Sequence, residues 1–359
     1  MPTADANVCS AALGPKDNYL KMDSNFGRMR ARRRDGQWRS FSHQGRLPAG
    51  AGRLAIVGQV YLNGVFGFDD FRLEVETTKG HWQAVPVANG DFAATVADSA
   101  GGFPNSWRPL FLVPGFSYRM STEAANSCLE ITGAGLVNYR HNSAAGHTVA
   151  LNGIKLYYET YGQGEPLLLL HGNGQSIAAF NGQIPELARH YQVIAMDIRA
   201  QGQSTNGKQT LTYDLFAEDM SALLTALHHP QQVKKRVTMG ANRWADTLAV
   251  TAATLREVHQ GKALTTWLYP INKQARNVRP LMVLLLDYPR LKATDLAGIA
   301  VPTLVLAGEH DMIQDAHTRL IARSLPHGQV HVFPGLSHYA PRENPAMFNA
   351  TVLSFLGPQ

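Results

Sequence analysis

The chain has 359 residues, 45% of them hydrophobic and 17% charged, with a net charge of +6. That is enough apolar material for one large core or two modest ones, and two domains are the expectation. No apolar run approaches the length of about 18 residues that suggests a membrane-spanning helix, and the first twenty residues lack a basic start followed by a continuous apolar segment. A soluble chain without a membrane span or a visible secretory leader is therefore expected. Two cysteines, Cys9 and Cys128, allow one bridge at most, which excludes a disulfide framework.

Residues 1–50 form a basic segment, expected to belong to a β domain. Part of the charge excess sits in RMRARRRDGQWR, Arg28–Arg39. Asp35-Gly36 is a strong hairpin-turn dipeptide, and the flanking arginines alternate as the solvent face of two strands would. No nucleic-acid module accompanies them, so a nucleic-acid partner is not expected. Over 51–140 the signals are short β-rich runs with turn residues at close intervals: AIVGQVYL, VFGFDDFRLEVE, WQAVPV, FSYRMS and CLEITG. The alternation of Phe66, Phe68, Phe71, Leu73 and Val75 slips once at Asp69-Asp70, as a bulge would produce. An all-β sandwich is expected here, with Asn138–His147 as the join. From 149 to 359 the pattern becomes strand, glycine turn, helix, strand, the sequence form of a mostly parallel sheet with helices on both faces.

The β domain resembles the jelly-roll modules found beside carbohydrate-active and other extracellular enzymes, on GFDDFRLEVE, ANGDFA, Trp107 and GFSYRMSTEAANSCLEITG. The resemblance implies a carbohydrate as a partner of this domain. Asp69, Asp70, Asn89 and Asp91 could bind a structural Ca²⁺, although turns that bond their own backbone are the plainer reading. Trp82 and Trp107 could stack on a sugar ring or belong to the core.

Further along, GIKLYYETYGQGEPLLLLHGNGQSIAAF runs through two β segments into His171-Gly172-Asn173-Gly174, and VIAMDIRAQGQS follows with a buried strand, an aspartate and a second glycine turn. Near the C-terminus, IAVPTLVLAGEHDMI ends a strand at Gly308-Glu309-His310-Asp311, and VHVFPGLSHYAPRENP ends another at Ser337-His338. In this order the four segments resemble the α/β-hydrolase superfamily, with Ala200 standing where that family usually carries glycine. The resemblance implies Asp311 as the triad acid, His338 as the general base, and backbone N–H groups at Asn173 and Gly174 as the cradle for a developing oxyanion. It implies no cofactor and no metal; His310, His317 and His331 fit no common zinc spacing and are expected to face solvent.

Such an enzyme also needs G-x-S-x-G, a strained strand-to-helix bend that exposes the serine Oγ. No such motif with Ser, Cys or Asp at its centre occurs. After the amphipathic stretch YDLFAEDMSALLTALH, His229-Pro230 and QQVKKRVTMGAN arrive at once, where the family would first place a strand, the elbow and a helix. The resemblance implies that roughly 20 to 25 residues carrying the strand, the elbow and the helix start are missing. The sheet is thus expected to lack one central strand. If it closes up, Arg236–Met239 takes the empty place, and Gly240-Ala241-Asn242-Arg243-Trp244 mimics the elbow with Asn242 at the serine position and Ala245–Val258 as the following helix. Trp267, Tyr269 and Leu281–Leu286 either line a pocket for a small acyl or apolar ligand or pack on the core. The expected function is that of an esterase-like acyl hydrolase descendant, inactive or strongly impaired. The alternatives are a binding protein on the same fold, direct activation of water by the Asp311–His338 pair, and a truncated gene.

Overall fold

The computed structural model describes residues 6–13, 19–24, 40, 42, 44, 53–60, 63–93, 104, 106, 107, 115–123, 126–135, 137–229 and 233–357. The basic stretch Arg28–Arg39 lies outside the described residues. Contacts divide the chain into two units, 1–136 and 137–359.

The described elements of the first unit are all strands: β1 (Ala6–Leu13), β2 (Tyr19–Ser24), β3 (Arg53–Val60), β4 (Gly64–Phe68), β5 (Leu73–Thr78), β6 (His81–Val85), β7 (Phe116–Glu123) and β8 (Asn126–Gly133). They pair antiparallel in three sheets, β2-β1-β3, β4-β8-β7 and β5-β6. Phe68, Phe92, Leu129 and Ile131 form the buried centre, with Phe71 and Trp107 packed on it. The offset at Asp69-Asp70 is a break between β4 and β5 and not a bulge within one strand. Asp70 adopts a left-handed φ of 57°, which aspartate tolerates because its short side chain bonds locally. Asp69 Oδ1 accepts from the Asp70 N–H and Asp91 Oδ1 from the Ala93 N–H, so both carboxylates serve their own turns.

The second unit begins before the expected boundary. Residues 138–147 are not a loose join, because Glu159 is fully buried and collects the N–H groups of Arg140 and Asn142 together with the hydroxyls of Tyr157 and Tyr161. A buried carboxylate needs such donors to offset its lost hydration. The elements that follow are β9 (Gly146–Leu151), β10 (Ile154–Tyr161), β11 (Pro166–Leu170), α1 (Ile184–Leu187), β12 (Gln192–Met196), α2 (Tyr213–Ala226), β13 (Arg236–Met239), α3 (Ala252–Leu268), α4 (Lys273–Asp287), α5 (Ala293–Ala297), β14 (Thr303–His310), α6 (Asp315–Ser324), β15 (Gly328–Ser337), α7 (Ala340–Glu343) and α8 (Pro345–Leu356).

The strands form two sheets and not one. The first has the order β11-β12-β10-β9, with β11 and β12 parallel and the other pairs antiparallel; the second, β13-β14-β15, is parallel throughout. Closure of the gap by Arg236–Met239 does not occur: β13 pairs with β14 from Arg236↔Thr303 to Met239↔Leu306, and no ladder joins it to β11 among the described residues. Side chains bridge what the backbone does not. Leu167 and Leu169 of β11, Val237 and Met239 of β13, and Val193, Ala195, Leu306 and Phe333 share one apolar cluster on the face covered by α1 and α8. On the opposite face the cores are separate, one under α2 around Leu156, Ile194 and Leu223, the other against α6 around Val305, Ile321 and Ala322. No helix of the described residues is long and apolar enough to cross a membrane.

Candidate functional site

Strands β14 and β15 are parallel neighbours, so both chain exits lie on one rim of their sheet. Parallel pairing therefore brings Asp311 and His338 together: His338 Nδ1 lies 2.8 Å from Asp311 Oδ1, which also accepts the Ile313 N–H at 2.9 Å. The Asp311 side chain is 1% exposed and the His338 side chain 29% exposed. A buried carboxylate on Nδ1 favours the tautomer that leaves Nε2 as a free base. Nε2 has no hydrogen-bond partner among the described residues, and no hydroxyl or thiol bonds to the ring. The adjacent hydroxyl, Ser337 Oγ, donates instead to Glu343 Oε1 at 2.6 Å.

The His171–Gly174 turn is clamped to the Asp197–Ser204 turn. His171 donates from Nδ1 to Gly172 O at 2.8 Å and accepts the Ile198 N–H on Nε2 at 3.0 Å. Its surroundings satisfy the neutral ring, and burial holds its pKa below the usual value. Asp197 receives the N–H groups of Ile177 and Gln203, while burial raises its carboxyl above the usual carboxylate range. Gly202, at φ 59°, is required here, since a Cβ would collide with the Asp197 carboxylate. Ala200 adopts φ 65° without being glycine.

The two oxyanion candidates differ. Asn173 N–H is unbonded among the described residues, and its side-chain amide donates to Leu281 O at 3.0 Å. Gly174 N–H, expected to face a developing charge, is engaged by Gln201 Oε1 at 2.5 Å. Gln201 Nε2 is itself buried without a partner.

Asn242 does not sit on an elbow. The Asn242 Nδ2 donates to Trp244 O at 3.5 Å, residues 243–249 run through bends and turns, and the helix starts only at Ala252, after the Val250–Ile313 bridge. Several bonds hold this path: the Arg243 N–H donates to His317 Nε2, Arg243 O accepts the Leu291 N–H, Ala249 O accepts the Gln314 N–H, and the Thr251 N–H donates to Met312 O. The residue that abuts His338 is Gly240, at φ 58°, where a Cβ would collide with the imidazole and approach Asp311 to 3.4 Å.

Other expectations change as well. Trp107 is a core residue whose Nε1 donates to Asn89 O at 3.0 Å, packed against Phe71 and Phe92; Trp82 is half exposed. Trp267 and Tyr269 point outward, whereas Leu281 and Leu284 are buried. His317 is buried and not solvent-facing, and burial lowers its pKa. No group of three or more His, Cys, Asp or Glu with metal-holding geometry occurs among the described residues.

Sequence reasoning missed Arg199 and Asp219. Their side chains are 1% and 0% exposed and pair through two bonds of 2.7 Å, with Asn152 donating to the same carboxylate, which fixes the second turn to α2. A signal was present: Asp219 lies four residues from both Leu215 and Leu223, on the buried stripe of the helix.

Comparison with known proteins agrees with this arrangement. Residues 165–234 match the family model described as alpha/beta hydrolase fold. The chain is 37% identical over 81 residues to a soluble epoxide hydrolase of Corynebacterium sp. (strain C12), a match that takes in 23% of this chain and 28% of that protein's length. It is 25% identical over 268 residues to the 2-hydroxy-6-oxo-6-(2'-aminophenyl)hexa-2,4-dienoic acid hydrolase of Metapseudomonas resinovorans, covering 58% of this chain and 89% of the relative. Among solved structures, the enol-lactonase from Burkholderia xenovorans LB400 is similar with a TM-score of 0.48 and 18% identity, over 58% of this chain and 99% of that one. The family-model match over residues 165–234, together with the parallel strands and paired turns, supports an alpha/beta hydrolase fold for the second unit.

Proposed function

We propose that this protein derives from a hydrolase of carboxylic esters or related acyl compounds and has lost the covalent step. In the ancestral arrangement a serine would attack the acyl carbon, His338 would carry its proton, Asp311 would hold the histidine, and the N–H of Asn173 would receive the oxyanion. The observation that carries the reading is the His338 ring, tied to Asp311 on one nitrogen and without a hydroxyl or thiol on the other among the described residues. The missing ladder between β11 and β13 supports it, because that is the place from which the family's serine bend projects. Gln201 in place of a free Gly174 N–H further weakens the anion cradle.

A fluorophosphonate probe, which labels only activated serines, should leave the protein unmodified, and p-nitrophenyl acetate should be hydrolysed at the same background rate by the native chain and by His338→Ala. A labelled serine peptide would overturn the reading.

The exposed part of His338 favours a second reading, in which the Asp311–His338 pair activates water directly as a general base. A rate that His338→Ala abolishes while the fluorophosphonate leaves it intact would establish it. If neither occurs, what remains is a binding protein for a small acyl or apolar ligand. In that case the first unit would be a jelly-roll-like sandwich, with half-exposed Trp82, among the described residues, placed to meet a carbohydrate.

A further inference from the structure

We propose that the hairpin formed by α3 and α4 docks on an anionic lipid surface, an interaction independent of whether the dyad is active. Helix α3 has no fully buried residue, and its last turns and the following turn present Leu264, Trp267 and Ile271 to solvent at 57%, 73% and 77% exposure, with Tyr269 beside them. Single exposed apolar residues are ordinary, but a tryptophan, a tyrosine and two large aliphatics at one helical tip form a patch.

Between Glu257 and Asp287 the charge of the hairpin is one-sided. Residues 258–286 contain Lys262, Lys273, Arg276 and Arg279 and no Asp or Glu. Lys262 pairs with Asp287 across the hairpin at 3.3 Å, and Arg276 and Arg279 form no ion pair among the described residues. Two of them are built into the tip. Arg276 donates to the carbonyls of Tyr269 and Pro270, and Arg279 stands 5.5 Å over the Tyr269 ring while donating to Thr266 Oγ1. Tryptophan and tyrosine prefer the headgroup level of a bilayer, and arginine reaches phosphates from just above an apolar contact. A second copy of the chain is the poorer occupant, because a two-fold face would set these cations against themselves. Anionic headgroups would neutralise them.

The test is flotation of the full chain with vesicles of phosphatidylcholine alone or mixed with phosphatidylglycerol. The native chain should float with the mixed vesicles and much less with phosphatidylcholine. The double variant Trp267→Ala, Ile271→Ala keeps every cation, including Arg28–Arg39, and changes only exposed side chains; it should bind roughly tenfold more weakly at an unchanged melting temperature. Brominated lipids should quench part of the tryptophan emission, and Trp267→Phe should lose that part. Equal binding by the double variant, or equal quenching in Trp267→Phe, would overturn the proposal. So would a concentration-dependent dimer that the double variant dissolves in a chain that does not float, since that assigns the face to a second copy.

Discussion

Strands β12 and β14 lie inside their half-sheets, and β11 and β13 lie at the seam between them. β11, β13 and β14 pair in parallel and β12 does so on the β11 edge, and β11 is the most uniformly apolar of the four, with four leucines in succession. Yet Val193–Met196 and Leu304–Ala307 are almost fully buried, whereas Leu167–Leu169 and all of β13 are only partly buried and Leu170 is 44% exposed. Hydrophobicity alone does not bury a strand. A parallel strand is buried by a ladder on each edge and a helix on each face, and β11 and β13 each have a ladder on one edge only among the described residues.

The sharpest way to break this comparison is to supply the absent neighbour. Insertion after His229 of a strand, a serine-bearing bend and a helix from an alpha/beta hydrolase should raise p-nitrophenyl acetate hydrolysis by about 10⁴-fold or more, and His338→Ala should abolish the gain. The inserted chain should also become fluorophosphonate-reactive and melt at a higher temperature.

Next in size is Arg199→Ala. It strands the buried Asp219 carboxylate and should lower unfolding stability in urea by about 3–5 kcal/mol, whereas an isolated surface pair such as Arg319–Asp315 should matter little. The contrast between strands can then be measured directly. Leu306→Ala, in β14, should cost about 2–5 kcal/mol, and Leu168→Ala, in β11, about 1 kcal/mol, because a partly buried site loses less transfer energy and leaves no closed cavity. Equal costs would mean that the seam is packed as tightly as the strand centres.

The smallest effect is on pH dependence. His171 and His317 both accept backbone N–H groups and have pKa values held down by burial, so the unfolded chain takes up protons near pH 6.5 while the folded chain does not. Stability should therefore fall as pH drops below about 6.5. The raised carboxyl of Asp197 acts in the opposite sense, adding stability as pH falls through its raised pKa toward the ordinary carboxylate value. The urea midpoint should be lower at pH 5.5 than at pH 7.5. His317→Gln, whose carbonyl accepts the Arg243 N–H without titrating, should flatten that difference.

Much of the site was legible along the chain. Asp311 and His338 each follow a strand with parallel character, and two strand ends on one rim leave little freedom for where their next residues go. The two glycine turns were equally readable, since only glycine allows the backbone to pass Asp197 at Gly202. What stayed hidden was choice among polar groups. Nothing local says that Gln201 takes the Gly174 N–H, that Arg199 reaches Asp219 on a helix twenty residues on, or that Gly240 and not Asn242 meets the imidazole. The exposed tip at Trp267 was equally unreadable, because an apolar run has the same pattern whether it meets a core or solvent.

The amino-acid sequence by itself determined the order of strands, turns and helices and the absence of a G-x-S-x-G bend, because periodicity and glycine demand are properties of neighbours in the chain. Only the tertiary structure decided that the sheet stays open as two halves held by a shared side-chain core. Strand pairing is a competition among distant segments, and for β13 the ladder to β14 and the bonds of Gly240 and Thr251 to the β14 side accompany pairing away from β11.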